Sequence, residues 1–303
     1  MRVRPMRPDE YDQVAELIYL STNRWYERAG KGAIFQHGPA SCRLFTDVYE
    51  DLDPGCCVVA EDPGTGRLAG SCFYHPRETH VSLGIMNVHP EFFGRGVASK
   101  LLRHVTDFAD GQGKPVRLVS SAMNLDSYSL YNRAGFVPRA IYQDILFTVP
   151  ADGGFRAPGR VREATEDDVA KMAGLEYQIS GIRRERDFRY FVENRRGIWH
   201  ASVLDDGAGG IEGFLCSVAH PASNMIGPGA MRTDEGALAL LAAELNHHRG
   251  RTLVFLLPAD RPGLVRQAYA WGGRNCEIHF AQTRGRYFPA DGVVMPTFMP
   301  ETA

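Results

Sequence analysis

The sequence predicts an α/β fold, a mixed and mostly antiparallel sheet flanked by helices, repeated in tandem along 303 residues. Apolar runs of strand length alternate with segments in which apolar residues recur at helical spacing, and this alternation predicts the sheet and its helices. The duplication is predicted because the composition turns to Gly and Pro at 151–159 and a similar pattern then begins again. We therefore expect two domains, 1–150 and 151–303, each able to bury its own core.

The first elements are a short strand followed by helices. Residues 3–6 form the strand, and Pro8 with the acidic residues after it supplies a helix start. The apolar face of that helix carries Val14, Leu17, Ile18 and Leu20. Residues 22–55 contain aromatic side chains among glycines and charges, which indicates one or two further helices.

The next elements of the first copy alternate in a strand and helix pattern. Two strands at 57–61 and 67–74 are joined by a tight Gly/Pro turn, and a strand at 80–88 follows. The remaining elements are a helix at 96–110, a strand at 115–120, a helix at 125–134 and a long hairpin at 136–147.

Residues 86–102 combine a strand end, a loop and a helix start. The apolar run stops at Pro90, and Gly94-Arg95-Gly96 opens a segment with apolar residues at helical spacing. At these glycines an anion can approach the free N–H groups of a helix N-terminus, where the helix dipole favours negative charge. The segment therefore predicts a phosphate-binding loop. Taken alone, it fits a tight turn before a buried helix equally well.

A second stretch of sequence indicates which kind of phosphate-binding loop this is. A Walker lysine is absent, and the glycines do not follow the strand directly as they do in a dinucleotide fingerprint. Residues 91–102 instead match one motif of the GNAT (N-acetyltransferase) superfamily everywhere except at Glu91, where Gln or Arg is usual. A second motif of that superfamily is matched by Asn124, Ser127, Leu130, Tyr131, Gly135 and Phe136. Because both motifs occur in the right order, about one strand apart, the first 150 residues resemble the GNAT superfamily.

This resemblance implies acetyl-CoA as the cofactor, in a cleft where two neighbouring parallel strands splay apart. The pantetheine arm would pair with the exposed strand edge at Met86, Asn87 and Val88. The diphosphate would bind the loop and first helical turn, formed by Phe93, Gly94, Arg95, Gly96, Val97, Ala98 and Ser99. For Arg95, a solvated loop position is an equally good interpretation. From the second motif, the resemblance adds Asn124, Ser127 and Tyr131 to the cofactor site.

The resemblance also implies direct attack of an acceptor amine on the thioester carbonyl in a ternary complex. Backbone N–H groups near Val88 would hold the oxyanion. Tyr131 occupies the position of the proton donor, and a phenol with a pKa of ~10 can protonate a departing thiolate whose thiol has a pKa of ~8.5. The alternative for Tyr131 is a ring packed on its helix with a satisfied hydroxyl.

The general base is less well defined. Ser82 stands where well-studied members of the superfamily have a glutamate, and a serine cannot hold the proton at neutral pH. His80, two residues earlier on the same strand face, has an intrinsic pKa of ~6.5 that suits the task. A solvated His80, a water chain and a side chain from the second domain are the alternatives. His75 and Glu78 are less well placed.

Similar stretches recur in the second half of the chain. Residues 161–175 align with 3–17, 232–241 with 93–102, and 269–273 with 131–135. On this alignment Thr233-Asp234-Glu235 replaces Gly94-Arg95-Gly96, so two carboxylates occupy and repel the place of a diphosphate. We therefore expect the second domain to be a degenerate copy that does not bind the cofactor.

Three polar or terminal segments lie outside these motifs. Residues 181–187 form a charge cluster, which is either a solvated connection, the interpretation we favour, or an arginine site for an acidic acceptor group. The C-terminal tail from residue 286 is apolar and should dock on one of the domains. His247 and His248 lie at a helix end and are expected to face solvent.

Composition limits the partners. The net charge of −2 provides no basic field for nucleic acid or an anionic membrane. No apolar run approaches the ~20 residues of a bilayer span, and the N-terminus lacks a signal-peptide core. The six cysteines form no C-x-x-C pair, so buried free thiols in a reducing cytosol fit better than a metal site. We expect a cytoplasmic protein without metal, nucleic-acid or membrane partners.

The sequence therefore predicts an acyltransferase that moves an acetyl group from acetyl-CoA to the amine of a small-molecule acceptor. A small acceptor is favoured because no basic patch or extended peptide groove is indicated. The alternatives are a non-catalytic acyl-CoA-binding sensor, favoured by Ser82, and a nucleotide-binding module that uses the same loop. The acceptor, the acyl chain length and the oligomeric state stay open, and a homodimer is compatible with the sequence.

Overall fold

The computed structural model describes residues 1–300, which form two compact units. The first unit comprises residues 1–76, 80–118 and 298–300, and the second comprises residues 77–79 and 119–297. None of the helices in this part of the chain has the length and apolar character needed to cross a membrane.

The first unit contains helices and a sheet in which one pair of strands is parallel. Its helices are α1 (Tyr11–Arg28), α2 (Arg43–Leu52) and α3 (Val97–Gly111). Its strands are β1 (Arg2–Pro5), β2 (Cys57–Glu61), β3 (Leu68–Pro76), β4 (Val81–Val88) and the first half of β5 (Val116–Ser121). The strand order is β1-β2-β3-β4-β5, antiparallel except for β4 and β5. Helix α3 is therefore the crossover that a parallel pair requires.

The helices of the first unit cover opposite faces of its sheet. A Cβ on Gly70 of β3 would lie 2.8 Å from a methyl of Val97, so Gly70 faces α3. Its neighbour Ser71 faces the other side because side chains alternate along a strand. On that side, Asn87 of β4 donates through Nδ2 to Thr22 Oγ1 of α1 at 3.1 Å. We call the two sides the α3 face and the α1–α2 face.

From residue 161 onwards, the second unit repeats the element order of residues 2–148. Its helices are α4 (Leu125–Arg133), α5 (Glu166–Ser180), α6 (Glu185–Glu193), α7 (Asp234–His247) and α8 (Pro262–Ala270). Its remaining strands are β6 (Val137–Thr148), β7 (Val161–Glu163), β8 (Trp199–Asp205), β9 (Ile211–His220), β10 (Ser223–Met231), β11 (Thr252–Pro258), β12 (Arg274–Arg284) and β13 (Val293–Met295). Strands β10 and β11 are parallel and joined through α7, as β4 and β5 are joined through α3. The predicted tandem duplication is confirmed.

Strand β6 belongs to the sheet of the second unit although it precedes the Gly/Pro linker. It is a single strand and not the predicted hairpin. Its neighbours are β12, paired over residues 137–146, and β11, paired over residues 142–148. The order in this sheet is β12-β6-β11-β10-β9-β8-β7, with β13 beside β10. The compact units thus divide at a different place from the repeats, whose boundary at residue 150 stays a prediction.

Each unit has an apolar core of its own. In α1 the predicted residues Val14, Leu17 and Ile18 are buried, whereas Leu20 is 39 % exposed, so the prediction for Leu20 is wrong. The core of the second unit lies under α7 and α8 and includes Ile145, Phe147, Leu240, Leu245, Phe255, Leu264 and Ala268. None of the six cysteines, all among the described residues, forms a disulfide bond, and Cys42, Cys57, Cys72 and Cys216 are buried.

The C-terminal tail is docked, as the sequence predicted. Within the second unit, β13 pairs with Gly229, Ala230 and Met231 of β10. Within the first unit, the hydroxyl of Tyr49 donates to the carbonyl of Phe298 at 3.1 Å, and Met299 is fully buried.

Candidate active site

The glycine loop has the backbone conformation that its sequence predicts. Gly94 and Gly96 have φ values of +74° and +73°, in the left-handed region where a side chain is strained, and Gly96 caps the N-terminus of α3. A Cβ at either glycine would meet nothing within 4 Å. Both glycines are therefore required by the turn and also leave open space around the start of α3.

Some backbone N–H groups of the loop already donate hydrogen bonds within the protein, and others do not. The N–H of Phe93 donates to the Pro90 carbonyl at 3.4 Å, and the N–H of Arg95 donates to the Phe92 carbonyl at 3.3 Å. The first helical hydrogen bond of α3 runs from Lys100 to the Gly96 carbonyl. The amides of residues 97–99 precede it and have no acceptor inside the helix. The amides of residues 94 and 96–99 are thus the better candidates for binding an anion.

Charged side chains surround the residues at the start of the loop. Glu91, the one departure from the motif, lies 2.7 Å from Arg67. The hydrogen bond and charge of Arg67 lower the pKa of Glu91. The guanidinium of Arg95 lies over the ring of buried Phe92, 5.2 Å from its centroid. Arg95 is also exposed, which agrees with its interpretation as a solvated loop residue, and its contribution to anion binding stays a prediction.

Strand β4 has an open edge beside this loop. On one side it pairs with β3 as far as Val88, opposite Gly70. On the other side its pairing with β5 covers only Val81 and Ser82. A β-bulge between the pairs Cys72↔Met86 and Tyr74↔Leu83 bends the strand where the two edges diverge. Residues 86–88 therefore present a strand edge that β5 does not occupy.

Two buried histidines lie near Ser82, where the superfamily carries a glutamate. His80 immediately precedes β4 and lies with its Nε2 3.1 Å from Ser82 Oγ, so both side chains share a face as predicted. His80 is 1 % exposed and is not the solvated residue of the alternative interpretation. His75 lies opposite Ser82 in the register of β3 and β4. Its Nδ1 is 2.7 Å from Asp53 Oδ2, a pairing that sequence spacing does not reveal because Asp53 follows another element.

The second motif builds helix α4 in the second unit. Asn124 Oδ1 accepts from the N–H of Ser127 at 3.0 Å and so caps the helix. Tyr131 is 7 % exposed, with its ring centroid 5.7 Å from that of Phe136. Gly135 has a φ of +88° where the helix ends. These motif residues thus have structural functions, and their cofactor-binding and catalytic functions stay predictions.

In the second copy, the position of the glycine loop is filled by an ion pair. Helix α7 begins at Asp234 with Thr233 as its cap, two residues earlier than the sequence alignment with α3 places it. Asp234 Oδ1 lies 3.3 Å from Nη1 of Arg261, which occupies the N-cap position of α8 without a capping hydrogen bond from its side chain. A carboxylate at this helix N-terminus occupies and repels the place of a phosphate. That the second copy does not bind the cofactor stays a prediction.

The charge cluster at 181–187 is partly buried, so its interpretation as a solvated connection is wrong for two residues. Arg184 is 2 % exposed and donates through Nε to Glu176 Oε2 at 3.0 Å. Asp187 is 1 % exposed and accepts from Nε of Arg77 at 2.8 Å. Both pairs lie inside the second unit. Buried pairs of this kind fix local geometry because removing one partner strands the other charge.

A second buried polar network surrounds Glu244 on α7. Glu244 is fully buried and accepts from His200 Nδ1 at 2.9 Å and from the hydroxyls of Ser202 and Ser217, both at 2.6 Å. His248 Nε2 lies 2.8 Å from Ser217 Oγ. His248 is 1 % exposed, so the prediction that it faces solvent is wrong. Glu244 on α7 lies one helical turn before His248 and was not identified from the sequence.

Comparisons with known proteins agree with this geometry. Residues 10–136 match the sequence profile of the Acetyltransferase (GNAT) family. No curated protein is a significant match.

The whole chain also resembles solved structures. A candidate acetyltransferase from Pyrococcus horikoshii is 16 % identical with a TM-score of 0.77, covering 99 % of this chain and 95 % of its own. A GCN5-related N-acetyltransferase from Sphaerobacter thermophilus is 19 % identical with a TM-score of 0.64, covering 96 % and 97 %. A tandem GNAT protein from the clavulanic acid biosynthesis pathway is 16 % identical with a TM-score of 0.62, covering 96 % and 99 %.

These relatives share a fold with both halves of the chain, and the family profile covers both motifs of the first copy. Residues 10–136 therefore resemble the GNAT acetyltransferase family, and the whole chain shares its fold with solved structures that include a tandem GNAT protein.

Proposed function

We propose that this protein transfers an acetyl group from acetyl-CoA to the amine of a small-molecule acceptor. The observation that carries the proposal is the start of α3, where two left-handed glycines leave open space beside amides without helical acceptors. Such a helix N-terminus binds phosphate groups through N–H donors and the helix dipole. The open edge at residues 86–88 supports a pantetheine arm added to the sheet as an extra strand.

In the proposed reaction the amine nitrogen attacks the thioester carbonyl carbon directly. Backbone N–H groups near Val88 hold the developing oxyanion, the C–S bond then breaks, and the sulfur takes a proton from the Tyr131 hydroxyl. The nitrogen loses one proton to a base. His80 is the proposed base, and its contact with Ser82 Oγ at 3.1 Å supports a relay in which the hydroxyl passes the proton to the ring.

A non-catalytic acyl-CoA-binding sensor is the second candidate. Ser82 favours it, because no carboxylate stands where members of the superfamily carry their base. The two candidates share the cofactor site and differ only in turnover.

The test is release of free CoA thiol from acetyl-CoA with a panel of amines containing spermidine, histamine, glucosamine, lysine and an aminoglycoside. Thiol release that depends on one amine, with the acetylated amine identified by mass spectrometry, supports the transferase. Tight CoA binding without turnover of any amine supports the sensor. Binding of ADP as tight as that of CoA contradicts both, because it assigns the loop to nucleotides and leaves the β4 edge unused.

A further inference from the structure

Among residues 1–300, several buried side-chain polar atoms lack a hydrogen-bond partner, and two of those in the first unit belong to residues paired across neighbouring strands. They are Ser71 Oγ on β3 and Asn87 Oδ1 on β4. Ser71 is fully buried, and Asn87 is 7 % exposed. Buried polar groups in native proteins are almost always hydrogen-bonded, so such atoms indicate a bound molecule that completes them.

The two side chains form one site. Ser71 and Asn87 are direct partners in the register of β3 and β4, so both project onto the α1–α2 face with their Cβ atoms about 5 Å apart. The Nδ2 of Asn87 is held by Thr22 Oγ1. This contact fixes the plane of the amide and leaves Oδ1 as its hydrogen-bond acceptor.

The position of Asn87 along β4 relates this site to the open strand edge. Asn87 lies between Met86 and Val88, the residues whose edge β5 leaves unpaired. Backbone groups of a strand lie in the plane of the sheet, whereas side chains project from it. A pantetheine arm on the edge and a second molecule on the α1–α2 face would therefore meet at residues 86–88 from different directions.

We propose that Ser71 and Asn87 hold the acceptor as a primary amine, an inference that rests on the proposed function. The nitrogen of a primary amine donates its two N–H bonds to Asn87 Oδ1 and Ser71 Oγ, and its lone pair stays free for the thioester carbon. When the C–N bond forms and the C–S bond breaks, one N–H leaves its hydrogen bond to Ser71 or Asn87 and gives its proton to the base. Both residues are positioning residues, because neither exchanges a proton.

The chemistry of the pair also defines the acceptor. Both side chains are uncharged, so they bind a neutral amine without holding it as an unreactive ammonium ion, as a carboxylate would. A secondary amine can satisfy only one of the two atoms, and a tertiary amine can satisfy neither. Primary amines are therefore preferred over secondary amines of the same size.

Binding of propylamine to the CoA-loaded protein tests the proposal without knowledge of the natural acceptor. The side-chain amide signals of Asn87 are followed by NMR and assigned by their loss in Asn87→Leu. In alkaline solution, where a larger fraction of each amine is neutral, propylamine should shift them saturably, N-methylpropylamine should bind about tenfold more weakly, and trimethylamine should leave them unchanged. Ser71→Ala should erase most of the difference between the primary and the secondary amine.

Controls separate this site from a fold defect and from the proposed function. Ser71→Ala removes a hydroxyl that has no partner, so its thermal unfolding and CoA affinity should match those of the parent protein. An Asn87 amide that responds to no amine would overturn the inference and assign the site to buried water. A response to trimethylamine equal to that of propylamine would overturn it too. Turnover of an amine with a silent Asn87 refutes this inference alone, whereas a responsive Asn87 without turnover refutes the transferase alone.

Discussion

The side chain of Asn23 on α1 holds the backbone of Phe35 through two hydrogen bonds. Its Oδ1 accepts from the Phe35 N–H, and its Nδ2 donates to the Phe35 carbonyl, both at 2.9 Å. Asn23 and Phe35 are each 6 % exposed. The side chain of Asn23 thus makes the two hydrogen bonds that a neighbouring strand would make to the backbone of Phe35. These bonds hold the loop between α1 and α2 against α1.

Asn23→Ala should destabilise the protein by about 1–3 kcal/mol, because it leaves a buried N–H and a buried carbonyl unsatisfied. Urea unfolding measures this loss, and hydrogen exchange should show faster exchange confined to residues 30–41. Asn132→Ala is the matched control, since Asn132 donates to the Tyr128 carbonyl on the exposed side of α4. Equal losses in the two variants would show that the clamp contributes nothing beyond an ordinary surface hydrogen bond.

Gly96→Asp should weaken CoA binding at least about tenfold, because it places a carboxylate where the diphosphate is expected and strains a backbone at φ +73°. Gly113→Asp is the control for strain. Gly113 also has a positive φ, +64°, and open space around its Cα, but it follows the C-terminus of α3. Isothermal titration of both variants separates the two effects. A similar loss of affinity in both would assign the effect to backbone strain and not to the anion site.

Tyr131→Phe should lower turnover by about 10²-fold without changing the affinity for CoA, because the ring stays in place and only the proton donor is lost. Tyr128→Phe, on the same helix as Tyr131, serves as a control. The Tyr128 ring centroid lies 5.5 Å from that of Phe280 on β12, and Tyr128 carries no predicted catalytic function. Steady-state kinetics with the amine identified in the panel provides the measurement. Unchanged turnover in Tyr131→Phe would remove the hydroxyl from the mechanism.

The stabilising effect of His200 should depend on pH in a defined direction. Burial disfavours the charged form of His200, but the hydrogen bond and charge of Glu244 outweigh it and raise the pKa of His200 above its ordinary value. The folded state thus binds the proton more tightly than the unfolded state. The stabilisation is complete below the unfolded pKa of ~6.5 and is lost as the pH rises through the folded pKa.

Urea unfolding of the parent protein and His200→Gln at a series of pH values tests this sign. The difference in unfolding free energy should be largest in mildly acidic solution and should shrink as the solution becomes alkaline. His37→Gln, at an exposed position before α2, should show no such trend. A difference that grows with pH would contradict the assignment of a charged His200 to the Glu244 network.

Local sequence patterns predicted those elements whose ends and buried faces are set by residues close together in the sequence. The glycines at 94 and 96 predicted the loop and the start of α3 because their conformation is set by neighbours a few residues away. Val14, Leu17 and Ile18 predicted the buried face of α1 through helical spacing, and their burial confirms it. The tandem architecture followed from the same patterns seen twice.

Long-range pairing was beyond these signals. The residues around Asp144 and Leu146 do not indicate that β6 lies between β11 and β12, because both of these strands are more than a hundred residues away in the sequence. Buried polar groups were missed for the same reason. His75 finds Asp53, and His248 finds Ser217, only through the fold. A sequence gives their residue types but not the partner that makes burial tolerable.

A crystal structure of the protein with bound CoA tests the anion site without intermediate assumptions. Both phosphates of the diphosphate should accept hydrogen bonds from amides among residues 94 and 96–99, with the pantetheine arm along the edge of β4 at residues 86–88. A diphosphate bound away from the start of α3, or one at the start of α7 in place of the Asp234–Arg261 pair, would contradict the assignment.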